Sequence, residues 1–424
     1  MELKLIIVLL FVNTFTIVNS RMVIINNTVS DQPNLPHDHA IRSIQSKDGD
    51  IIDCIDIYRQ PAFNHPALKN HDIQLNPSSC DLRTETGTGN EAYTGRKKSS
   101  HVTVTKQTWQ LSGSCPKGTI PVRRVQKNNV SSKDDWIGNY GRKSPMHLKF
   151  DDKRSLNGSK MLYLQLENHS LAILHTEGYA YLGGKGDIKV WNPSVESDDE
   201  YSTSQMALKS GPYYHFEAIE SGWAVSQFLG VNPRVYGDRQ TRLFVYWTAD
   251  ASKKTGCFDL TCPGFVQTNN EIALGAAIYP ISNPTGLPYQ ITLYIHKDPD
   301  TSNWWVQYGD RINIGYWPHD LFNMLSYHAE TVQWGGEVYS TKIGLNHPHT
   351  TTGMGSGHFP DFVFGNSGYV KRMRVLENSM VLRFPQWVNS YSDEYDCYDV
   401  YYISDYVEDP EFYYGGPGRN PICP

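Results

Sequence analysis

The 424-residue sequence predicts an all-β protein in which an antiparallel β-sandwich follows a smaller domain of mixed structure. From about residue 170 onward, short runs rich in Val, Ile, Tyr and Trp are separated by Gly, Pro and Asn, which is the pattern of strands and tight turns. This region is about 255 residues long and holds most of the tryptophans, so it can bury one large core. We therefore expect two domains after the N-terminal segment, at residues 21–165 and 166–424.

The N-terminal segment, residues 1–20, has one early lysine, an apolar run that is short for a membrane span, and a small residue at its end. These features are typical of a secretory signal peptide. No later run is apolar over the roughly twenty residues that a membrane helix needs, so we expect an exported protein without a membrane anchor, located outside the cell, in the cell wall or in vacuolar fluid. Four N-glycosylation sequons agree with that route: Asn26, Asn129, Asn157 and Asn168.

Residues 21–165 mix charge, proline and short apolar runs, and they sustain no long periodic pattern. Seven cysteines are few for a disulfide-dominated fold but suffice for several bridges in an exported protein. We expect one bridge that closes a tight loop, one that holds the C-terminal segment and one within the first domain: Cys257–Cys262, Cys397–Cys423 and Cys54–Cys115. Cys80 is then left over.

Charge and motifs exclude several classes of function. The formal net charge is -6 and lysine and arginine form no stripe, so nucleic acid is not an expected partner. No H-E-x-x-H occurs, and "GMGSGH" does not fit the nucleophile motif G-x-S-x-G. The histidines of "NHPHTTTGMGSGH" match no zinc spacing and are expected in a polar loop, so we predict neither a metal nor another cofactor: His347, His349 and His358.

Two glutamates lie in predicted strands, on the face opposite the apolar side chains. If "FEAIESGWAV", residues 216–225, is a strand, alternation places Glu220 on the face opposite the bulky apolar side chains. The same reading of "TVQWGGEVY", residues 331–339, places Glu337 opposite the apolar face. Each glutamate has a glycine two positions away, and glycine inside a strand often marks close approach by a ligand or another backbone.

The pattern alone also fits ordinary solvent-facing glutamates, which are common on strands. If the two strands are close, however, Glu220 and Glu337 can line the walls of one groove. One carboxylate can then stay ionised and activate water while the other holds a proton and donates it. Repulsion between them would separate their pKa values.

Longer strings resemble a known family. "DCIDIYRQPAFNHP" and "CPKGTIPVRR" resemble the activation peptide of the plant neprosin proteins, and "YWTADASKKTGCFDLTCPGFVQTNN", "WGGE", "MGSGHFP" and "YYGGPG" resemble their catalytic domain. Neprosin-type proteins are secreted glutamic peptidases with a β-sandwich catalytic domain, and the prototype cuts after proline at acid pH. The resemblance implies that the two catalytic glutamates are Glu220 in "IESGW" and Glu337 in "QWGGE".

One departure from the family pattern lies beside the expected site. Gln333 replaces the first glutamate of "EWGGE" on the face of Glu337, so a negative charge that would raise the pKa of Glu337 is missing and the pH optimum is expected to shift. Three further residues are candidates for binding substrate or an oxyanion: Gln333, Tyr339 and Gln205. The amide of a glutamine can stabilise an oxyanion by donating a hydrogen bond. Gln205 fits a strand-surface position equally well.

These observations predict a secreted, acid-active endopeptidase that cleaves after proline and is made as a zymogen. Residues 21–165 would cover the groove until cleavage between about residues 129 and 168, so the expected partners are proline-containing peptides or proteins and the chain's own propeptide. The alternative is a non-catalytic secreted module that binds cell-wall polysaccharide or a peptide; such a variant would be expected to lose one glutamate, and this chain keeps both. Glycoside hydrolases also use paired carboxylates, but only that pair supports this third reading.

Overall fold

The computed structural model describes residues 39–78, 83–84, 106–124, 143–146, 148–150, 155–156, 159–160, 164–226, 238–284, 286–344, 347–360, 365–405, 407 and 409–424. All of these residues belong to one compact unit, residues 36–424. The expected signal peptide at residues 1–20, Cys80 and three of the sequons lie outside the described residues and stay predictions: Asn26, Asn129 and Asn157. The fourth sequon, Asn168, lies in the turn before a long strand.

The first part of the chain contributes short strands, which are β1 Ala40–Gln45, β2 Ile51–Asp56, β3 Arg83–Thr84, β4 Lys106–Gln107, β5 Thr119–Arg123, β6 Leu148–Phe150, β7 Ser155–Leu156, β8 Ser159–Lys160 and β9 Leu164–Leu166. Strands β1, β2 and β5 form a three-stranded antiparallel sheet. The helical segments of the described chain are short 3-10 turns, at Ile57–Arg59, Pro61–Asn64, Pro66–Leu68, Thr108–Leu111 and His319–Leu321. None of the described helices is long and apolar enough to cross a membrane.

The second part supplies the longer strands, in which β-branched and aromatic residues are frequent. They are β10 His169–Tyr181, β11 Gly183–Lys189, β12 Tyr201–Ser210, β13 Glu217–Ser226, β14 Arg242–Thr248, β15 Cys257–Phe258, β16 Val266–Gln267, β17 Ile278–Tyr279, β18 Gln290–Lys297, β19 Trp304–Tyr308, β20 Ile312–Trp317, β21 Ala329–Tyr339, β22 Gly368–Leu376, β23 Val381–Arg383, β24 Val388–Ser392, β25 Asp399–Ile403 and β26 Glu411–Gly415.

These strands form two large sheets. The first has seven strands in the order β15-β14-β13-β12-β21-β10-β24, and the second has ten strands, ordered β16-β20-β19-β18-β11-β22-β23-β3 with β26 paired to β22 and β25. Neighbouring strands are antiparallel, except that β3 runs parallel to β23. The predicted all-β, antiparallel fold is therefore confirmed.

The core lies between the two sheets, where buried side chains from both form one cluster. Two core tryptophans of the seven-stranded sheet also bind the backbone of β11 in the other sheet. The indole nitrogen Nε1 of Trp223 donates to the carbonyl of Lys189 at 2.8 Å, and that of Trp334 donates to the carbonyl of Lys185 at 3.2 Å. Buried indole N–H groups need such partners, so these bonds fix how the sheets face each other.

The three expected disulfides are present: Cys54–Cys115, Cys257–Cys262 and Cys397–Cys423. His349 lies close to Cys397 and Cys423, a combination that could suggest a metal site. Because both cysteines are in a disulfide, they offer no thiolate ligand. His349 instead bonds Glu394 at 3.3 Å and the carbonyl of Thr350 at 2.9 Å, which indicates a structural role.

Candidate active site

Glu220 and Glu337 lie on β13 and β21, the two strands that flank β12 in the seven-stranded sheet. Glu220 pairs with Ala207 of β12, and Glu337 pairs with Thr203 four residues away on the same strand. Both carboxylates therefore project from one face of the sheet. We call it the outer face, because the core tryptophans of the same strands point the other way, into the sandwich. The strand alternation read from the sequence is confirmed for both strands.

The glycines near the two glutamates are explained by neighbouring backbone rather than by space for a ligand. Gln205 of β12 pairs with Gly222 on one neighbouring strand, β13, and with Gly335 on the other, β21. A Cβ atom at Gly222 would lie 2.0 Å from the carbonyl oxygen of Ser204, and one at Gly335 would lie 2.2 Å from that of Ala172. Gly335 also has φ of +146°, which disfavours other residues. The glycines thus let the strands approach each other closely beside the carboxylates.

Both carboxylates are buried: Glu220 is 2% exposed and Glu337 is 1% exposed. The reading of ordinary solvent-facing glutamates is therefore wrong. The side chain that covers them is Lys143, whose Nζ lies 2.6 Å from Oε2 of Glu220 and 3.0 Å from Oε2 of Glu337. The two Oε2 atoms can be no more than about 5.6 Å apart, the sum of those distances. One buried ammonium thus joins the two carboxylates of the expected dyad.

Glu337 has further hydrogen-bond partners on the outer face. The hydroxyl of Tyr201 donates to its Oε1 at 2.8 Å, and Nδ1 of His169 lies 2.9 Å from the same oxygen. The amide Nε2 of Gln205 donates to Oε2 at 3.3 Å. Within the described residues, Lys143 is the one hydrogen-bond partner of the Glu220 carboxylate. The environments of the two glutamates are therefore unequal.

These contacts fix the charge of the site. Burial alone would raise the pKa of Glu337, but the Lys143 ammonium and the bonds from His169 and Tyr201 hold that pKa well below its usual range. Burial alone would lower the pKa of Lys143, but the two carboxylates raise it above its ordinary value. Burial and the nearby Glu337 charge raise the pKa of Tyr201, which therefore stays a neutral donor. In this form Glu337 and Lys143 are a charged pair inside a closed cluster.

The other predicted site residues also lie on the outer face, but their distances from the dyad differ. Gln205 is buried between the two glutamates, and its carbonyl Oε1 has no partner among the described side chains and backbone. Tyr339 packs its ring against Tyr201, with ring centroids 5.4 Å apart and nearly parallel. Gln333 pairs with Ala207 and lies four residues from Glu337. Of the three, Gln205 is the one that contacts a glutamate of the dyad directly, whereas Tyr339 packs against Tyr201 and His169, two partners of Glu337.

Sequence reasoning did not single out Lys143, His169 or Tyr201. Tyr201 and His169 could have been found, because alternation places Tyr201 on the face of Gln205, and His169 begins the strand that pairs with β21. Lys143 carries no such signal. It belongs to the polar stretch "GNYGRKSPM" and lies 77 residues before Glu220 in the sequence. Only the folded structure brings the two residues into contact.

Comparison with known proteins gives two family matches. The family model described as Neprosin matches residues 198–417, and the one described as Neprosin activation peptide matches residues 43–175. The chain is also similar to two solved structures of scytalido-glutamic peptidase. The one with a peptide based transition state analog is 11% identical over 59% of this chain and 98% of that chain, with a TM-score of 0.31. The one with a transition state analog inhibitor is 10% identical over 58% and 98%, with a TM-score of 0.32.

Proposed function

Because the chain belongs to the neprosin family of glutamic peptidases, we propose that it is a secreted, acid-active endopeptidase that is made as a zymogen and cleaves after proline. The observation that carries the proposal is the pair of buried carboxylates, Glu220 and Glu337, held by one lysine. We take residues 21–165 as the activation region and residues 166–424 as the catalytic region. The signal-like residues 1–20 and the three disulfides support export.

Latency in this proposal comes from Lys143. Its ammonium occupies the position between Glu220 and Glu337 where a water and a substrate carbonyl must bind, and it forms an ion pair with each carboxylate. A dyad needs one ionised and one protonated carboxyl group to act as base and acid. The bound lysine therefore blocks both the space and the protonation state that catalysis requires.

After Lys143 leaves, the unequal environments assign the two roles. Glu337 keeps three hydrogen-bond partners that favour its charged form, so it is the base. Glu220 loses Lys143, its one hydrogen-bond partner among the described residues, so we assign it the role of the acid. Like charges so close favour sharing one proton between them.

The reaction then proceeds without a covalent intermediate. Glu337 takes one proton from a water as the water oxygen attacks the substrate carbonyl carbon, and the Nε2 group of Gln205 donates to the resulting oxyanion. As the carbon–nitrogen bond breaks, Glu220 gives its proton to the leaving nitrogen. The proton on Glu337 then passes to Glu220 through solvent, which restores the starting state.

The preference for proline is supported by family membership and by aromatic side chains on the outer face. Tyr391 of the edge strand β24 pairs with Ile173 of β10 and is more than one third exposed. In the hairpin between β12 and β13, Tyr213 and Tyr214 are also exposed. Proline-rich segments commonly dock against exposed aromatic rings, because their extended conformation is already formed.

The test of this function is cleavage of a mixed peptide library by protein that has been incubated in acid. Fragments are identified by mass spectrometry over a range of pH, together with the mass of the protein itself. We expect the protein to shorten in acid and then to cut peptides after proline, faster in acid than at neutral pH. A shortened protein that cuts no peptide would favour the non-catalytic binding module instead.

Gln205 supplies a separate prediction. Replacing Gln205 by Ala is expected to reduce kcat by about 10²- to 10³-fold with a smaller change in KM, because an oxyanion donor acts mainly in the transition state. The measurement is steady-state cleavage of one proline-containing peptide. The matched control is Gln307→Ala, which removes a half-buried amide on β19 of the other sheet and should leave kcat within about twofold. Equal effects of the two substitutions would rule out a transition-state role for Gln205.

A further inference from the structure

The activation region attaches to the catalytic region through glutamine side chains that use both ends of their amides. Gln60 Nε2 donates to the carbonyl of Gln267 at 3.1 Å, and the backbone N–H of Gln267 donates back to Gln60 Oε1 at 2.7 Å. Gln107 makes the same pair of bonds with the backbone of Ala273, at 2.6 and 2.8 Å. These two sites consist of main-chain groups, which pair with strands as readily as with side-chain amides.

Gln74 binds differently, because side chains of the catalytic region surround its amide. Its Nε2 donates to Oδ2 of Asp298 at 3.0 Å. Its Oε1 accepts from Thr301 Oγ1 at 2.8 Å, from Asn303 Nδ2 at 2.9 Å and from Trp305 Nε1 at 3.4 Å. The backbone N–H of Gln74 donates to the hydroxyl of Tyr316 at 3.0 Å. We call the five catalytic-region residues the carboxamide site: Asp298, Thr301, Asn303, Trp305 and Tyr316.

The carboxamide site is complementary to one type of side chain. A neutral amide offers a donor to the Asp298 carboxylate and an acceptor to the three donors on the other side. A glutamate would bring a second negative charge against Asp298, and a lysine or arginine would leave the three donors without an acceptor. A leucine would leave both sets unpaired. Asparagine is one methylene shorter and cannot reach the same groups from the same backbone position.

The carboxamide site is held in shape by the catalytic region itself. Asp298 accepts from the backbone N–H groups of Asp300 and Thr301 at 3.0 and 2.9 Å. Burial would raise its pKa, but hydrogen bonds from Thr301, and from Ser78 and Gln74 of the activation region, keep that pKa below the ordinary value. Asn303 Oδ1 accepts from the backbone N–H of His319, which turns the amide nitrogen toward Gln74. The bonds from Asp300, Thr301 and His319 do not depend on the activation region, although Ser78 of that region adds two further bonds to Asp298. The site should therefore persist when that region leaves.

We propose that the carboxamide site is a second binding site of the mature protein, which takes a glutamine side chain from an extended stretch of a peptide substrate. The inference rests on the proposed maturation, because Gln74 occupies the site until the activation region leaves. It lies in the loop between β18 and β19 and on β19 and β20, in the ten-stranded sheet, whereas the dyad lies on the outer face of the seven-stranded sheet. Binding there selects substrates without taking part in the reaction.

The test uses a labelled peptide of residues 70–76, "NHDIQLN", and protein that was produced as the full-length chain and then matured in acid. Fluorescence anisotropy measures the binding of the peptide to this protein at one fixed pH. This peptide contains Gln74 and stops before Pro77, so the proposed activity does not cut it. We expect it to bind at least about tenfold more tightly than the same peptide with Gln74→Glu. The protein variant Asp298→Asn should weaken binding of the glutamine peptide and reduce the preference over the glutamate peptide. Asp310→Asn, an exposed position near Lys185, is the matched control and should change neither.

The outcomes separate this inference from the proposed function. Three results would overturn the carboxamide site. The two peptides could bind equally well, neither peptide could bind although mass spectrometry shows that the activation region has left, or that region could be retained permanently. Cleavage of a short glutamine-free peptide, measured in the same sample, tests the peptidase, and the 70–76 peptide should not slow it. If the chain does not mature in acid, a recognition sequence for an added protease is placed within residues 151–154, after Lys143, so that cleavage there separates both the activation region and Lys143 from the catalytic region. Peptide binding without cleavage would then support the carboxamide site and contradict the peptidase.

Discussion

Replacing Glu220 by glutamine in the matured protein is expected to lower kcat for peptide cleavage by about 10³-fold or more at every pH. Glutamine keeps the size of the side chain and can still form hydrogen bonds, but it has no proton to give to the leaving nitrogen. Glu337→Gln should cause a loss of similar size, because an amide cannot take a proton from water. The double variant should be little worse than either single one, since two groups that act as a unit are not additive. The measurement is single-turnover cleavage of one proline-containing peptide.

An inactive variant cannot process itself, so each variant is matured by a trace of tagged wild-type enzyme that is removed before the assay. Glu177→Gln is the matched control, because Glu177 is an exposed glutamate on β10 of the same sheet. Thermal unfolding of every variant shows whether the fold is intact. Activity of Glu220→Gln within tenfold of the control would contradict the dyad, and it would do so whether or not the chain cleaves after proline.

The strand faces could be predicted from sequence because the period of a strand is two and one face of each strand is apolar. Alternation around Trp223 and Trp334 places Glu220 and Glu337 opposite the core, and the register of β12 with its neighbours brings them to one face. Two of the disulfides followed from the positions of their cysteines, and the third required a choice of two among the three cysteines of the first domain. The seven-stranded order, in which β21 lies between β12 and β10, has no local signal, because it depends on packing between distant segments.

The burial of the dyad could not be predicted because the group that covers it comes from elsewhere. A glutamate on the outer face of an exposed sheet looks solvated, and only the contact with Lys143 makes that reading wrong. For the same reason, the sequence could not show how far the replacement of a glutamate by Gln333 changes the pKa of Glu337. The pKa of Glu337 is governed by burial, Lys143, His169 and Tyr201, three partners that the "QWGGE" motif does not contain. The shifted pH optimum stays a prediction.

The Lys143 cluster also supplies a physical reason for the activation in acid that we propose. Lys143 lowers the pKa of Glu337 in the closed form, so the closed form is stabilised relative to an open form above the ordinary glutamate pKa of about 4.3. This stabilisation is lost as the pH falls, because protonation of Glu337 competes with the ion pair. The contacts of Gln60 and Gln107 join side-chain amides to backbone groups, and neither partner titrates. Acid therefore weakens the contact that blocks the dyad while the contacts of Gln60 and Gln107 persist.

Lys143→Met should remove this dependence on acid. Two buried carboxylates without a cation are unfavourable, and removing one partner of a buried ion pair typically costs roughly 3–5 kcal/mol, so residues 143–146 should detach already near neutral pH. We expect the variant to process itself at a pH at least about one unit higher than wild type, measured by the mass of the chain after incubation across a pH series. Lys117→Met removes an exposed lysine from the same region and should behave as wild type. If both variants keep the wild-type threshold, acid acts on another contact and Lys143 is not what holds the zymogen closed.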